Sequence, residues 1–221
     1  MHILSTQSLA FPPADWADEN GLLAVGGDLS PQRLIYAYER GIFPWFDADE
    51  PILWWSPPQR MVVDVTHYEP SKKLRQLWRN HPFTCRWNTD FDAVIRQCQR
   101  IKRPGQPGTW ITDAIVDAYT KLHHMGYAQS VAVYIDDQLV GGLYGVNLQG
   151  VFCGESMFSA VSNASKVAFL FLIEQLKSMR YPLLDCQLHN PYLAQLGAFE
   201  IDRKLFLQLL AQCQYSRPSE K

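Results

Sequence analysis

The stretch GVFCGESMFSAVSNASKVAFLFLIEQLKSMRYPLLDCQ, residues 150–187, is the most informative part of this 221-residue chain. VFCGESMFS has the composition of a buried strand, NASK opens a long apolar helix, and LLDCQ reads as a second buried strand. Glu155, Asp185 and Gln187 therefore lie in segments that belong to the interior. A carboxylate in an apolar strand is costly unless something pairs with it, so three polar side chains on two such strands point to a ligand site. The plainer alternative is a buried network whose members satisfy one another. Strand alternation places Asp185 and Gln187 on one face of LLDCQ and Leu184 and Cys186 on the other, so the two polar groups should look into a cleft together.

Outward from this stretch the chain is well punctuated. Downstream of residue 61 the expected order is a strand at 61–65, a helix after Ser71, a strand at 83–88 and a helix at 90–101. The RPGQPGT loop follows, and then a helix capped by Thr112 and closed by Gly126. SVAVYID, LVGGLYGVNL and VFCGESMFS form a meander joined by the Asp136-Asp137 and Gln149-Gly150 turns. The long helix starts at Asn163 or Ser165 and ends near Met179, and after LLDCQ come helical pieces at 191–196 and 203–213. The first sixty residues are dense in aromatics and prolines and show one convincing helix, capped by Ser30, with Pro31 at its first position and Gly41 at its end. The expected fold is α+β: a small N-terminal α/β domain over residues 1–60 and a catalytic domain over 61–221.

The order of elements after residue 61 resembles the GCN5-related N-acetyltransferase fold. That resemblance implies that strands 151–158 and 183–187 splay apart and admit substrate, with the polar trio at the splay. Acetyltransferases of this fold hold the pyrophosphate of coenzyme A on a glycine-rich loop at a helix N-terminus. The corresponding segment, SAVSNASK, has no glycine, so coenzyme A is disfavoured and no cofactor is expected.

Composition narrows the classes further. With 47% hydrophobic and 19% charged residues the chain is an ordinary globular protein. No run approaches the roughly 20 apolar residues of a membrane span, and the first residues lack an export signal, so a soluble, cytoplasmic protein is expected, without membrane contact. The five cysteines show no C-x-x-C spacing and the six histidines no ligand pair, so no metal site is expected. The net charge is −2, yet residues 60–103 hold ten Lys and Arg, from Arg60 to Arg103, against four Asp and Glu, a local +6. That concentration suggests a phosphate-binding surface.

The strings GLLAVGGDLSPQRLIYAYERGIFPWF, ILWWSPP, GTWIT, LVGGLYGV, FCGESMFS, NASK and LDCQ resemble, in this order and over nearly the whole chain, the leucyl/phenylalanyl-tRNA–protein transferase family. The resemblance implies an aminoacyltransferase that moves leucine or phenylalanine, and less well methionine, from aminoacyl-tRNA to proteins with N-terminal Arg or Lys, marking them for degradation. For that reaction the chemistry of the residues suggests that Gln187 orients the attacking amine and Asp185 tunes that contact and draws off the proton, the assignment of base and orienter between these two staying open, while Glu155 completes the network and favours a cationic acceptor. Tyr38, Trp45 and Trp110 match aromatic positions of the family's motifs and would stack on the terminal adenosine. Leu143, Phe152, Met157, Leu170 and Leu184 are candidates for the apolar pocket, and Lys72, Lys73, Arg75 and Arg79 for contacts with tRNA phosphates. His189, just past Gln187, is the one histidine to watch. With no sustained apolar surface stripe, the protein should be a monomer. The alternatives are a related transferase with another acceptor and a non-catalytic tRNA- or peptide-binding module.

Overall fold

The computed structural model describes residues 2–101 and 109–215, so most of the expected RPGQPGT loop, with Lys102 and Arg103, lies outside the described residues. In chain order the elements are β1 (His2–Leu4), β2 (Leu22–Gly26), α1 (Pro31–Tyr38), β3 (Phe43–Pro44), β4 (Leu53–Trp55), β5 (Gln59–Asp64), α2 (Lys72–Asn80), β6 (Thr84–Trp87) and α3 (Phe91–Arg100). They continue with α4 (Asp113–His124), β7 (Ala128–Ile135), β8 (Gln138–Asn147), β9 (Val151–Ser159), α5 (Ala164–Ser178), β10 (Leu183–Gln187), α6 (Pro191–Gln195), β11 (Phe199–Asp202) and α7 (Arg203–Tyr215). The fold is mixed α and β, with a small N-terminal sheet in the order β1-β2-β4-β3 and a larger one in the order β11-β5-β10-β9-β8-β7-β6.

Local chemistry places most of these elements. The hydroxyls of Ser30, Ser71 and Thr112 accept from the backbone N–H groups of Arg33, Leu74 and Ile115 and cap α1, α2 and α4. Asp136 and Asp137 both have positive φ, the geometry that lets a two-residue turn follow the twist of the hairpin it closes. The four strands of the N-terminal sheet and β11 were not anticipated. Each has only two to five residues, and the four in the N-terminal segment lie among closely spaced prolines, glycines and aromatics that obscure any alternation.

Both faces of the large sheet are covered. On β7, Ala132 and Tyr134 join a core shared with α3, α4 and the N-terminal segment, whereas Val131 and Val133 face the core built by α5. Trp54, Leu34 and Tyr38 of the N-terminal segment belong to the first of these cores, so the small sheet is packed against the large one through a continuous apolar interior. None of the described helices is long and apolar enough to cross a membrane.

The feature that positions the site is a parting of two strands. β9 and β10, joined by the α5 crossover, run parallel and pair from Leu183↔Val151 to Asp185↔Cys153. There the pairing stops, while β9 runs on along β8 to Ser159. The expected splay is present, and Glu155 and Gln187 face each other across its apex.

Candidate active site

Each of the two strands is irregular where it meets the cleft. Between β8 and β9, Tyr144 pairs with Ser156 and Gly145 with Gly154, which leaves Glu155 as the extra residue of a β-bulge. Between β5 and β10, Asp185 pairs with Val62 and Gln187 with Met61, which leaves Cys186 as the extra residue. A bulge bends the strand and re-aims a side chain. Gly145 makes the first one possible, since a Cβ there would lie 2.2 Å from the Cys153 carbonyl oxygen. Gln187 has φ near +64°, an uncommon conformation for its residue type.

These irregularities bring Glu155 and Gln187 together. Gln187 Nε2 donates to Glu155 Oε1 at 2.7 Å, and the Tyr119 hydroxyl donates to Glu155 Oε2 at 3.1 Å. The Tyr38 hydroxyl is hydrogen-bonded in turn to that of Tyr119. All these partners are neutral. Burial pushes the Glu155 carboxyl up from its ordinary 4.5 to about 7; the bonds from Tyr38, Gln187 and Tyr119 pull it down, and the charge of Asp185 pushes it up. Burial, then the Glu155 charge, drives both tyrosines well above their usual range, so they remain donors.

Asp185 departs from expectation. It is fully buried and is absent from the cleft lining. Arg60 grips it in a fork, Nε to Oδ1 at 2.8 Å and Nη2 to Oδ2 at 2.7 Å, and Gln187 N–H adds a third bond to Oδ1 at 2.9 Å. The bulge at Cys186 breaks the alternation that was to set Asp185 and Gln187 side by side in the cleft. Arg60, counted in the basic segment, is equally interior and so forms no part of a phosphate-binding surface.

The cleft encloses about 510 Å³ and is lined mainly by apolar side chains. Leu143, Met157 and Leu184 line it as expected, with Phe169 and Leu172 beside them, and Phe43, Trp45 and Trp110 form an aromatic wall. Trp45 is exposed on one side and packs edge-on against Trp55, whose Nε1 donates to the Trp45 carbonyl. Three other candidates lie elsewhere. Phe152 is buried where β9 and β10 still pair, and Leu170 turns into the core beneath α5. Tyr38 is buried behind Glu155, where its hydroxyl, and no ring face, reaches the site. His189 lines the cleft and is held to Glu200, Nδ1 to Oε2 at 3.2 Å.

The leucyl/phenylalanyl-tRNA protein transferase family model matches residues 62–211, and the model of that family's N-terminal domain matches residues 27–58. The chain belongs to this family. A leucyl/phenylalanyl-tRNA–protein transferase of Flavobacterium johnsoniae is 53% identical over 204 residues, covering 92% of this chain and 96% of its own. Another, from Teredinibacter turnerae, is 51% identical over 217 residues, covering 97% and 84%. Among solved structures, a GCN5-related N-acetyltransferase from Kribbella flavida aligns at a TM-score of 0.38 and 12% identity, over 74% of this chain and 58% of that one.

For an aminoacyltransferase of this family, two further groups at the site escaped the sequence. Tyr119 reads as one more apolar position on α4; its only signal is a phenol in a buried stripe, where the hydroxyl needs a partner. Arg60 opens the MVVDV strand and reads as one more basic residue. Lys72, Lys73, Arg75 and Arg79 are exposed on α2, and none of the four is among the residues lining the cleft.

Proposed function

We propose that this protein transfers leucine or phenylalanine, and less well methionine, from aminoacyl-tRNA to the α-amino group of proteins with N-terminal Arg or Lys. The product is thereby marked for degradation, and the enzyme acts in the cytoplasm as a monomer. The observation that carries this reading is the Glu155–Gln187 pair at the floor of an apolar cleft with an aromatic wall. Membership of the transferase family supports it.

The donor ester is already activated, so the enzyme has only to position the reactants and move one proton. Gln187 Nε2 is committed to Glu155, which turns Gln187 Oε1 to accept from the incoming amine. As the amine attacks the ester carbonyl, a C–N bond forms and Glu155 takes the proton that the nitrogen sheds. When the C–O bond to the tRNA ribose breaks, that proton passes to the departing oxygen. A carboxyl with a value about 7 suits both halves of this exchange. Asp185 holds Gln187 in place, and Glu155 assumes the role of base first expected of Asp185.

Residues 1–60 contribute Phe43 and Trp45 to the aromatic wall, and Trp45 and Trp110 offer stacking faces to the terminal adenosine. Leu143, Met157 and Leu184 receive the donor side chain, and a pocket without polar groups discriminates weakly between apolar side chains of similar size. Glu155, when ionised, gives the cleft a negative charge that favours a cationic acceptor. The basic face of α2 holds tRNA phosphates. The test is transfer of labelled leucine or phenylalanine from charged tRNA to peptides beginning with Arg, Lys or Gly. Transfer confined to Arg and Lys is expected; equal transfer to Gly would remove the acceptor rule, and tRNA binding without transfer would remove catalysis.

A further inference from the structure

Arg60 is in direct contact with both sides of the cleft's framework. Its Nη1 donates to the Gly41 carbonyl at 3.1 Å, at the head of the segment that carries Phe43, Pro44 and Trp45 into the cleft wall. Its Nε and Nη2 hold Asp185, whose Oδ1 receives the backbone N–H of Gln187. The guanidinium lies between two rings, 4.7 Å from the centre of Phe43 and 4.5 Å from that of Phe206 on α7. Phe43 also lines the cleft. Thus one planar group, fixed by three hydrogen bonds and two ring faces, links the wall assigned to the donor with the strand end assigned to the acceptor amine.

A buried ion pair is weak evidence for stability, because apolar side chains of similar volume often serve a core as well or better. What the fork adds is direction: a guanidinium matches a carboxylate at two points and leaves a third donor at a fixed angle, which an ammonium cannot do. We propose that Arg60 is a positioning residue of the transfer reaction, setting the distance between the aromatic wall and Gln187 while touching neither substrate. This rests on the assignment of Glu155 and Gln187 given above.

The experiment compares Arg60→Lys and Asp185→Asn with the unchanged protein in transfer from charged tRNA to an Arg-starting peptide, at a temperature where thermal melts show each variant folded. Misplacement by about 1 Å can cost about a hundredfold in rate. Arg60→Lys is expected to lower kcat on that scale and to raise KM for aminoacyl-tRNA, since both attachments are disturbed. Asp185→Asn leaves the Gly41 and Phe43 contacts in place and should lower kcat alone. A merely structural pair predicts lower melting temperatures without this split. A folded Arg60→Lys protein with unchanged kcat and KM overturns the proposal. If Arg60→Lys does not fold, the apolar pair Arg60→Met with Asp185→Leu takes its place, and full turnover there has the same meaning. Glu155→Gln and Gln187→Ala are measured alongside: if they retain full turnover the site assignment itself falls, whereas if they lose it and Arg60→Lys does not, only the role of Arg60 falls.

Discussion

Asp185 and Glu155 stand on neighbouring strands, both withdrawn from bulk water, and the fold treats them in opposite ways. Asp185 is sealed against a charged partner that occupies both its oxygens. Glu155 has only neutral donors, opens on the cleft and is raised to about 7. A buried carboxyl with phenol and amide partners can gain and lose a proton near neutrality. The two residues differ in their partners and in their access to the cleft, and for that reason the acid–base role in the proposed reaction is given to Glu155.

The sharpest way to break this contrast is Glu155→Gln. Loss of a general base costs about 10²–10⁴-fold in turnover. It should also change the acid limb of log kcat/KM from slope two to slope one, leaving only the acceptor amine, whose value lies at about 7.7–8.0. An unchanged slope in a pH series would return the proton to another group. Asp185→Leu with Arg60 retained should lower turnover through the loss of the Gln187 N–H contact and also lower stability by about 3–5 kcal/mol in urea unfolding, because an uncompensated guanidinium stays buried. A smaller loss would mean that water or another acceptor reaches Arg60.

The raised value of Glu155 also gives stability and activity opposite trends. A carboxyl whose folded value lies above its unfolded one contributes stability that is full below about 4.5 and is lost as pH rises through about 7. That loss, on the order of 3 kcal/mol, should vanish in Glu155→Gln, as pH-dependent melting would show. Activity needs the ionised form and rises over the same window. Tyr119→Phe removes one donor to the ionised carboxylate, so the acid limb should move to higher pH and turnover at neutral pH fall by about 2–10-fold. Least affected will be the basic face of α2: each of Lys72→Ala and Lys73→Ala should flatten the salt dependence of tRNA binding by about 0.7–0.9 per charge, leaving kcat unchanged.

Much of the large sheet was legible because its helices carry their caps and its meander carries its turns. The strands from 128 to 159 lie where alternation and turn chemistry put them, and the long helix follows from the apolar run after NASK, with Asn163 at its N-terminus making no side-chain capping bond. The trio Glu155, Asp185 and Gln187 stood out as polar residues in apolar strands, and the apolar lining Leu143, Met157 and Leu184 followed from their places around the splay. Phe152, Leu170 and Tyr38 were misplaced relative to the cleft because sequence position fixes a face of a strand or helix only while the element is regular, and because two cores flank this sheet.

The sequence by itself determined the longer helices and six strands of the large sheet, β5 to β10, and that acidic and amide side chains would be carried into an apolar interior, because these follow from periodicity and local hydrogen-bonding chemistry. Only the tertiary structure decided which carboxylate would be neutralised. The partner of Asp185 lies 125 residues away, and the tyrosine that holds Glu155 lies 36 away on a helix. The bulges at Glu155 and Cys186 arise from registry between strands, a property of pairs of segments that no single segment encodes.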